Sequence, residues 1–143
     1  MAEKHFQDVG MDSFFGRFVY DRVVPRHHCL VQLNQVIDWD SFTELLLPTY
    51  PGLAEEGRPP YPPVVLLKML VVAYWYHLSE RQVEEITTYH LAIKEFVGLA
   101  VDELAPDHST LSVCKGRGLE TICEAVLRRT RAVGIRLGQT ERS

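Results

Sequence analysis

A chain of 143 residues is long enough to bury one core, and its 46% hydrophobic and 24% charged content excludes wholesale disorder. Its formal net charge of −4 is unevenly spread: residues 1–105 hold 8 Lys and Arg against 15 Asp and Glu, a balance of −7, while residues 106–143 hold 7 against 4, a balance of +3. A polyanion can therefore be met only through the C-terminal third, which excludes a uniformly basic nucleic-acid binder.

The three cysteines, Cys29, Cys114 and Cys123, are widely spaced and contain no C-x-x-C pair, so they make no disulfide framework and suit a reducing, cytoplasmic setting. The N-terminus lacks the basic-then-apolar order of a secretory signal. The longest apolar run, residues 64–76, is interrupted by Lys68. A helix of that length rises only about 20 Å, too little to cross a bilayer, and reads as a buried core helix.

In chain order, residues 1–24 show no sustained period and read as an N-terminal arm. A first helix is expected over 27–37, with Leu30, Leu33, Val36 and Ile37 on one face. Asp40 is placed to cap a short helix over 41–47, which Pro48 stops. Residues 48–63 are rich in Pro and Gly and form a stiff surface loop. Pro62 and Pro63 then fall where a helix tolerates proline, opening the central helix over 64–77. Ser79 and Gln82 have capping-box spacing and open a helix over 79–89, with Val83 and Ile86 inward. A tight turn at His90 leads to a helix over 91–97, ended by Gly98.

Beyond Pro106 runs a last long helical stretch. Leu119, Ile122, Cys123, Val126, Val133 and Leu137 keep to one side of it, with Arg128 and Arg131 turned away. Gly116 and Gly118 bracket Arg117 and each costs about 1 kcal/mol in a helix interior relative to Ala, so the helix loosens there and sets Arg117 on a bend. Gly134 and Gly138 weaken the far end, and residues 139–143 fray. Period-2 segments are missing, so the fold class is all-α: a compact multi-helix domain with a helix-turn-helix-like element and a long C-terminal helix. The organisation is an arm at 1–24, a helical domain at 25–118, and a C-terminal helix and tail at 119–143.

Chemistry concentrates in Pro106, Asp107, His108, Ser109, Thr110, Leu111 and Ser112. Asp107 or Ser109 can cap the helix start, and hydroxyls at a helix N-terminus donate to phosphate oxygens. Lys115 and Arg117 follow within two turns. This reads as a recognition helix with Ser109, Thr110 and Ser112 near the groove and Lys115, Arg117, Arg128, Arg129 and Arg131 on phosphates. The helix pair over 79–97, with Arg81 and Lys94 as its cations, is the competing unit, made acidic by Glu80, Glu84, Glu85 and Glu95. His27, His28, Cys29, His77, His90, His108, Cys114 and Cys123 have no zinc-site spacing, and Cys114 and Cys123 read as core fillers. Glu120 and Glu124 share a face without the following histidine a di-iron site needs. No metal, cofactor or catalytic residue is implied, and the chain reads as a non-enzyme.

The order of these segments carries a resemblance. Residues 24–28 (VPRHH) with Leu30, then Ile37-Asp38-Trp39, Gly57-Arg58-Pro59, residues 63–70 (PVVLLKML), residues 78–84 (LSERQVE), Phe96-Val97-Gly98-Leu99 and residues 106–112 (PDHSTLS) follow one another as in the N-terminal helical domain of DDE-type insertion-sequence transposases, in the insertion-sequence-five and related groups. The chain resembles that domain over about residues 15–118, cut before the catalytic domain. After Ser112 it departs from the usual aromatic and more basic helix, with Val113, Cys114, Lys115, Gly116, Arg117 and Gly118 instead. The resemblance implies a nucleoid-associated bacterial domain that engages double-stranded DNA at transposon ends, with the metal-holding carboxylates in a separate ribonuclease-H-like domain. Asp107 belongs to the helical domain's own motif and not to those carboxylates. A second reading is an interaction module whose apolar stripe over 119–137 stays exposed and pairs with another copy or with full-length transposase, as a regulator or inhibitor.

Overall fold

The computed structural model describes residues 14–46 and 61–133, which are predominantly helical and carry no strand. Eight α-helices follow in order: α1 (Phe14–Val23), α2 (Cys29–Val36), α3 (Thr43–Leu46), α4 (Pro63–Tyr76), α5 (Glu80–Tyr89), α6 (Leu91–Val97), α7 (His108–Cys114) and α8 (Glu120–Val133). A 3-10 turn, Trp39–Phe42, precedes α3, and a π-helical segment, Lys115–Leu119, joins α7 to α8. No helix among the described residues is long and apolar enough to cross a membrane.

The apolar run of the sequence becomes the axis of the fold. Val65, Leu66, Leu67, Met69, Leu70, Val71, Val72 and Ala73 are all buried, so α4 is apolar around its circumference and is enclosed by α3, α5, α6, α7 and α8. Each buried Val, Leu or Met side chain among them contributes about 1.5–3 kcal/mol relative to exposure. Pro63 occupies the first turn, where its missing N–H costs no hydrogen bond, and His77 ends the helix in the left-handed region at φ 59°. Lys68, the one charge in the run, lays its ammonium over the rings of Trp39 and Phe96 at 4.8 and 5.4 Å. Burial pushes its pKa down to about 8, partly offset by the charge of Asp40.

The capping box opens α5: Gln82 N–H donates to Ser79 Oγ at 3.1 Å, and Ser79 N–H donates to Gln82 Oε1 at 2.8 Å. Gly98, at φ +100°, closes α6. The stripe that starts at Leu119, at the end of the π-helical segment, and continues along α8 packs inward, with Leu119, Cys123, Val126 and Thr130 buried and Ile122 half-buried against the core. Through Val126, then, this apolar line is covered by the chain's own core and is not available to a second copy. Residue 137 lies outside the described residues.

Three expectations change. Within the predicted arm, residues 14–23 form a helix, because Tyr20 and Val24 bury against Ala92 and the Tyr20 hydroxyl donates to Leu99 C=O at 2.7 Å; residues 1–13 lie outside the described set. The first predicted helix starts later, at Cys29, because His28 acts as its cap, Nδ1 accepting from Leu30 N–H at 3.1 Å. Asp40 sits inside the 3-10 turn and is not the N-cap of an α-helix. The Pro- and Gly-rich loop lies largely outside the described residues.

α6 is the second unusual helix, since Ala92, Ile93, Lys94, Glu95, Phe96 and Val97 are all buried. Lys94 Nζ donates to Val101 C=O at 2.9 Å. Glu95 is held by Arg26, at 2.8 Å, and by Arg17. Burial acts to raise the Glu95 pKa, but the hydrogen bonds from Arg26 and Arg17 outweigh it and hold the carboxyl below its ordinary value. This clasp ties α1 and the turn before α2 to the body.

A carboxyl whose folded pKa is depressed contributes stability above its unfolded pKa and loses it as pH falls through the folded value. Glu95→Gln is expected to cost about 1.5–3 kcal/mol at neutral pH, the range for charge-assisted hydrogen bonds. Urea denaturation from pH 7 to pH 3 checks this: the gap between wild type and variant narrows toward the acid end. A gap independent of pH would remove the ionised clasp from the account.

Candidate nucleic-acid interface

α7 begins where the chain turns in from Pro106. Asp107 is its N-cap, accepting from Ser109 N–H at 3.4 Å and from Ser109 Oγ at 3.0 Å. The Ser109 hydroxyl first, and then its backbone N–H, keep the Asp107 carboxyl below the ordinary range. Leu111 and Cys114 point into the core, against α4 and α5. Ser109, Ser112, Val113 and Gly116 recur with helical spacing on the opposite side, and all four are exposed. Thr110 lies between the faces, half-buried.

This outward stripe carries no acidic side chain, is narrow, and ends at a glycine whose Cβ position has open space around it. Two small hydroxyls, a valine and a glycine make a surface that an opposing backbone can approach closely.

The helix bends after α7. Gly118 takes φ 111°, a conformation in which an L side chain is strained, and the π-helical segment around it redirects the chain into α8. This is the loosening that Gly116 and Gly118 predict. Lys115 and Arg117 sit in the segment. Lys115 has a committed partner: its ammonium meets Glu80 Oε2 at 3.1 Å and lies over the Tyr74 ring at 5.9 Å. Tyr74 in turn donates to Glu120. Lys115 therefore ties the bend to α4 and α5, and Arg117 stands exposed at its outside. On α8, Arg128 and Arg131 are exposed on the side away from the buried line, whereas Arg129 stacks its guanidinium over Phe42 at 5.1 Å.

The competing helix pair does not offer a comparable surface. α6 is buried on every side and the Lys94 ammonium is spent on a backbone carbonyl, so only Arg81 of that pair's cations reaches solvent. α5 instead packs against α7. Between α5 and the start of α7 lies an open groove of about 630 Å³ lined by Arg81, Glu84, Glu85, Thr88, Tyr89, Leu104 and His108. At its inner end His108 joins the two helices: its N–H donates to Glu84 Oε1 at 3.0 Å, and its Nδ1 lies 2.7 Å from that same oxygen and 3.0 Å from Asp107 Oδ1. Sequence reasoning left Glu84 on a solvated acidic face and His108 among scattered imidazoles; the adjacent Asp107-His108 pair was the only local hint that they meet.

Burial pushes the Cys114 and Cys123 thiols up to about 11 and about 12, which keeps both protonated as core fillers.

Residues 18–117 match the family described as a transposase domain (DUF772). The chain belongs to that transposase-domain family. The match ends at the bend, so in this transposase domain α7 and its outward stripe lie inside the family region and the whole of α8 beyond it. No solved structure matches the chain.

The two bend glycines make opposite predictions. Gly118→Ala is expected to destabilise by about 1–2 kcal/mol, the cost of forcing an L residue into the left-handed region. Gly116→Ala, with open space and helical backbone, is expected to be neutral or to stabilise by up to about 1 kcal/mol. Thermal denaturation of both variants tests the assignment, and equal losses would contradict it.

Proposed function

We propose that this transposase domain contacts double-stranded DNA at the ends of a mobile element, with α7 laid toward a groove and the cations beyond it on the phosphate backbone. Its contribution is binding, with α5 bracing α7 in a helix-turn-helix-like arrangement, and not strand cleavage. The observation that supports this best is the outward face of α7, where Ser109, Ser112, Val113 and Gly116 form a narrow stripe free of acidic side chains in a chain whose formal charge is negative. Membership in the family supplies the class of partner.

The physics of the reading is a division of labour. Hydroxyls and backbone N–H groups at the start of α7 position the helix on phosphate and sugar oxygens. Arg117, Arg128 and Arg131 add charge that is independent of sequence and sensitive to salt. Arg129 is partly engaged with Phe42, and Lys115 with Glu80, so each adds less.

Fluorescence anisotropy with a random duplex from low to physiological salt tests this. The logarithm of affinity should fall linearly with the logarithm of salt concentration, and Arg117→Ala, Arg128→Ala and Arg131→Ala should each reduce the slope by about 1. Ser112→Glu should weaken binding at every salt concentration, and Lys115→Ala should change the slope less than Arg128→Ala. Slopes unchanged across the arginine variants would take this surface out of consideration.

A further inference from the structure

We propose that Glu84, Asp107 and His108 form a site for a divalent metal ion of the zinc class at the joint between α5 and α7. This goes beyond the DNA-contact reading and does not rest on it. One donor atom from each residue, His108 Nδ1, Glu84 Oε1 and Asp107 Oδ1, lies within 4.8 Å of the other two, and Nδ1 faces both oxygens at 2.7 and 3.0 Å. A single Nδ1 proton has two carboxylate acceptors here and can align well with only one. A cation at about 2.0–2.2 Å from each donor needs tetrahedral donor separations of about 3.3–3.6 Å, so both Nδ1–oxygen distances widen by roughly half an ångström to admit it.

The donors are held in place before any ion arrives. Glu84 Oε1 accepts from the His108 backbone N–H and Asp107 Oδ1 from that of Ser109, so α5 and the capped start of α7 orient the ligands. The set is one imidazole and two carboxylates, which favours zinc-like ions over magnesium, whose sites are built from oxygen alone. Two carboxylates also balance the charge of a divalent ion. Further coordination positions face the open groove, where water can fill them. Arg81 and Glu85 line the same groove with opposite charges. The ion takes the place of the Nδ1 proton, so binding to the protonated imidazole releases a proton and weakens at acid pH.

Isothermal titration of the whole chain with zinc chloride at pH 7.5 tests the site. One ion per chain is expected, with weaker binding at pH 5.5. His108→Ala should abolish it. Glu84→Gln, whose amide oxygen still accepts the His108 N–H, should weaken it by about tenfold or more, a loss already typical when only an outer-shell partner is removed. A far-ultraviolet circular dichroism spectrum matching wild type confirms that each variant is folded. No binding to the wild type, or binding unchanged in His108→Ala and so resting on other imidazoles such as His27 or His90, overturns the proposal.

Discussion

A helix that is apolar on every side can exist in water only if other elements enclose it. α4 is that helix, and the arrangement of the domain follows from enclosing it. α3, α5, α6, α7 and α8 each give one face to it. For α8 this uses up the line from Leu119 to Val126, and α6 is sunk entirely between α4 on one side and α1 and α2 on the other. α7 gives up only Leu111 and Cys114, leaving its other side to solvent. The outward stripe is thus what remains of α7 once the core has taken its share.

The same enclosure sorts the charges. Lys68 and Lys94 are taken into the body, Arg17 and Arg26 are spent on Glu95, and Lys115 is spent on Glu80. What stays outward near the bend and on α8 is Arg117, Arg128 and Arg131, with Arg129 over Phe42. A formal net charge counts all of these equally and so conceals a basic end on an acidic body. Several ion pairs here act as struts between helices; those exposed on both sides, such as Arg17 with Asp21, add little to stability, whereas the clasp on Glu95 has a buried carboxylate at its centre.

Local chemistry was legible in the sequence wherever neighbours in the chain decide the outcome. The Ser79–Gln82 box, Pro63 in the first turn of α4, Gly98 after α6 and the bend at Gly116 to Gly118 all depend on backbone groups within a few residues. Fold class was legible from period. What stayed hidden depends on distant partners. α1 escaped because Phe15 and Phe18 face solvent while Tyr20 and Val24 face α6, so its apolar residues do not mark a single side. Lys94 and Glu95 read as surface because their carbonyl and arginine partners lie elsewhere in the chain. Glu80 with Lys115, and Glu84 with His108, are likewise pairs that only the packing of α5 on α7 and the bend brings together.

The central claim is that α7 presents the DNA-facing surface, and amide chemical-shift mapping tests it most directly. A nitrogen-15-labelled domain titrated with a short random duplex at low salt should shift resonances in the stretch from Asp107 to Arg117, with weaker effects near Arg128 and Arg131. Amides of α6 should stay fixed. Shifts centred on α1, or on the exposed face of α5 without α7, would contradict the account.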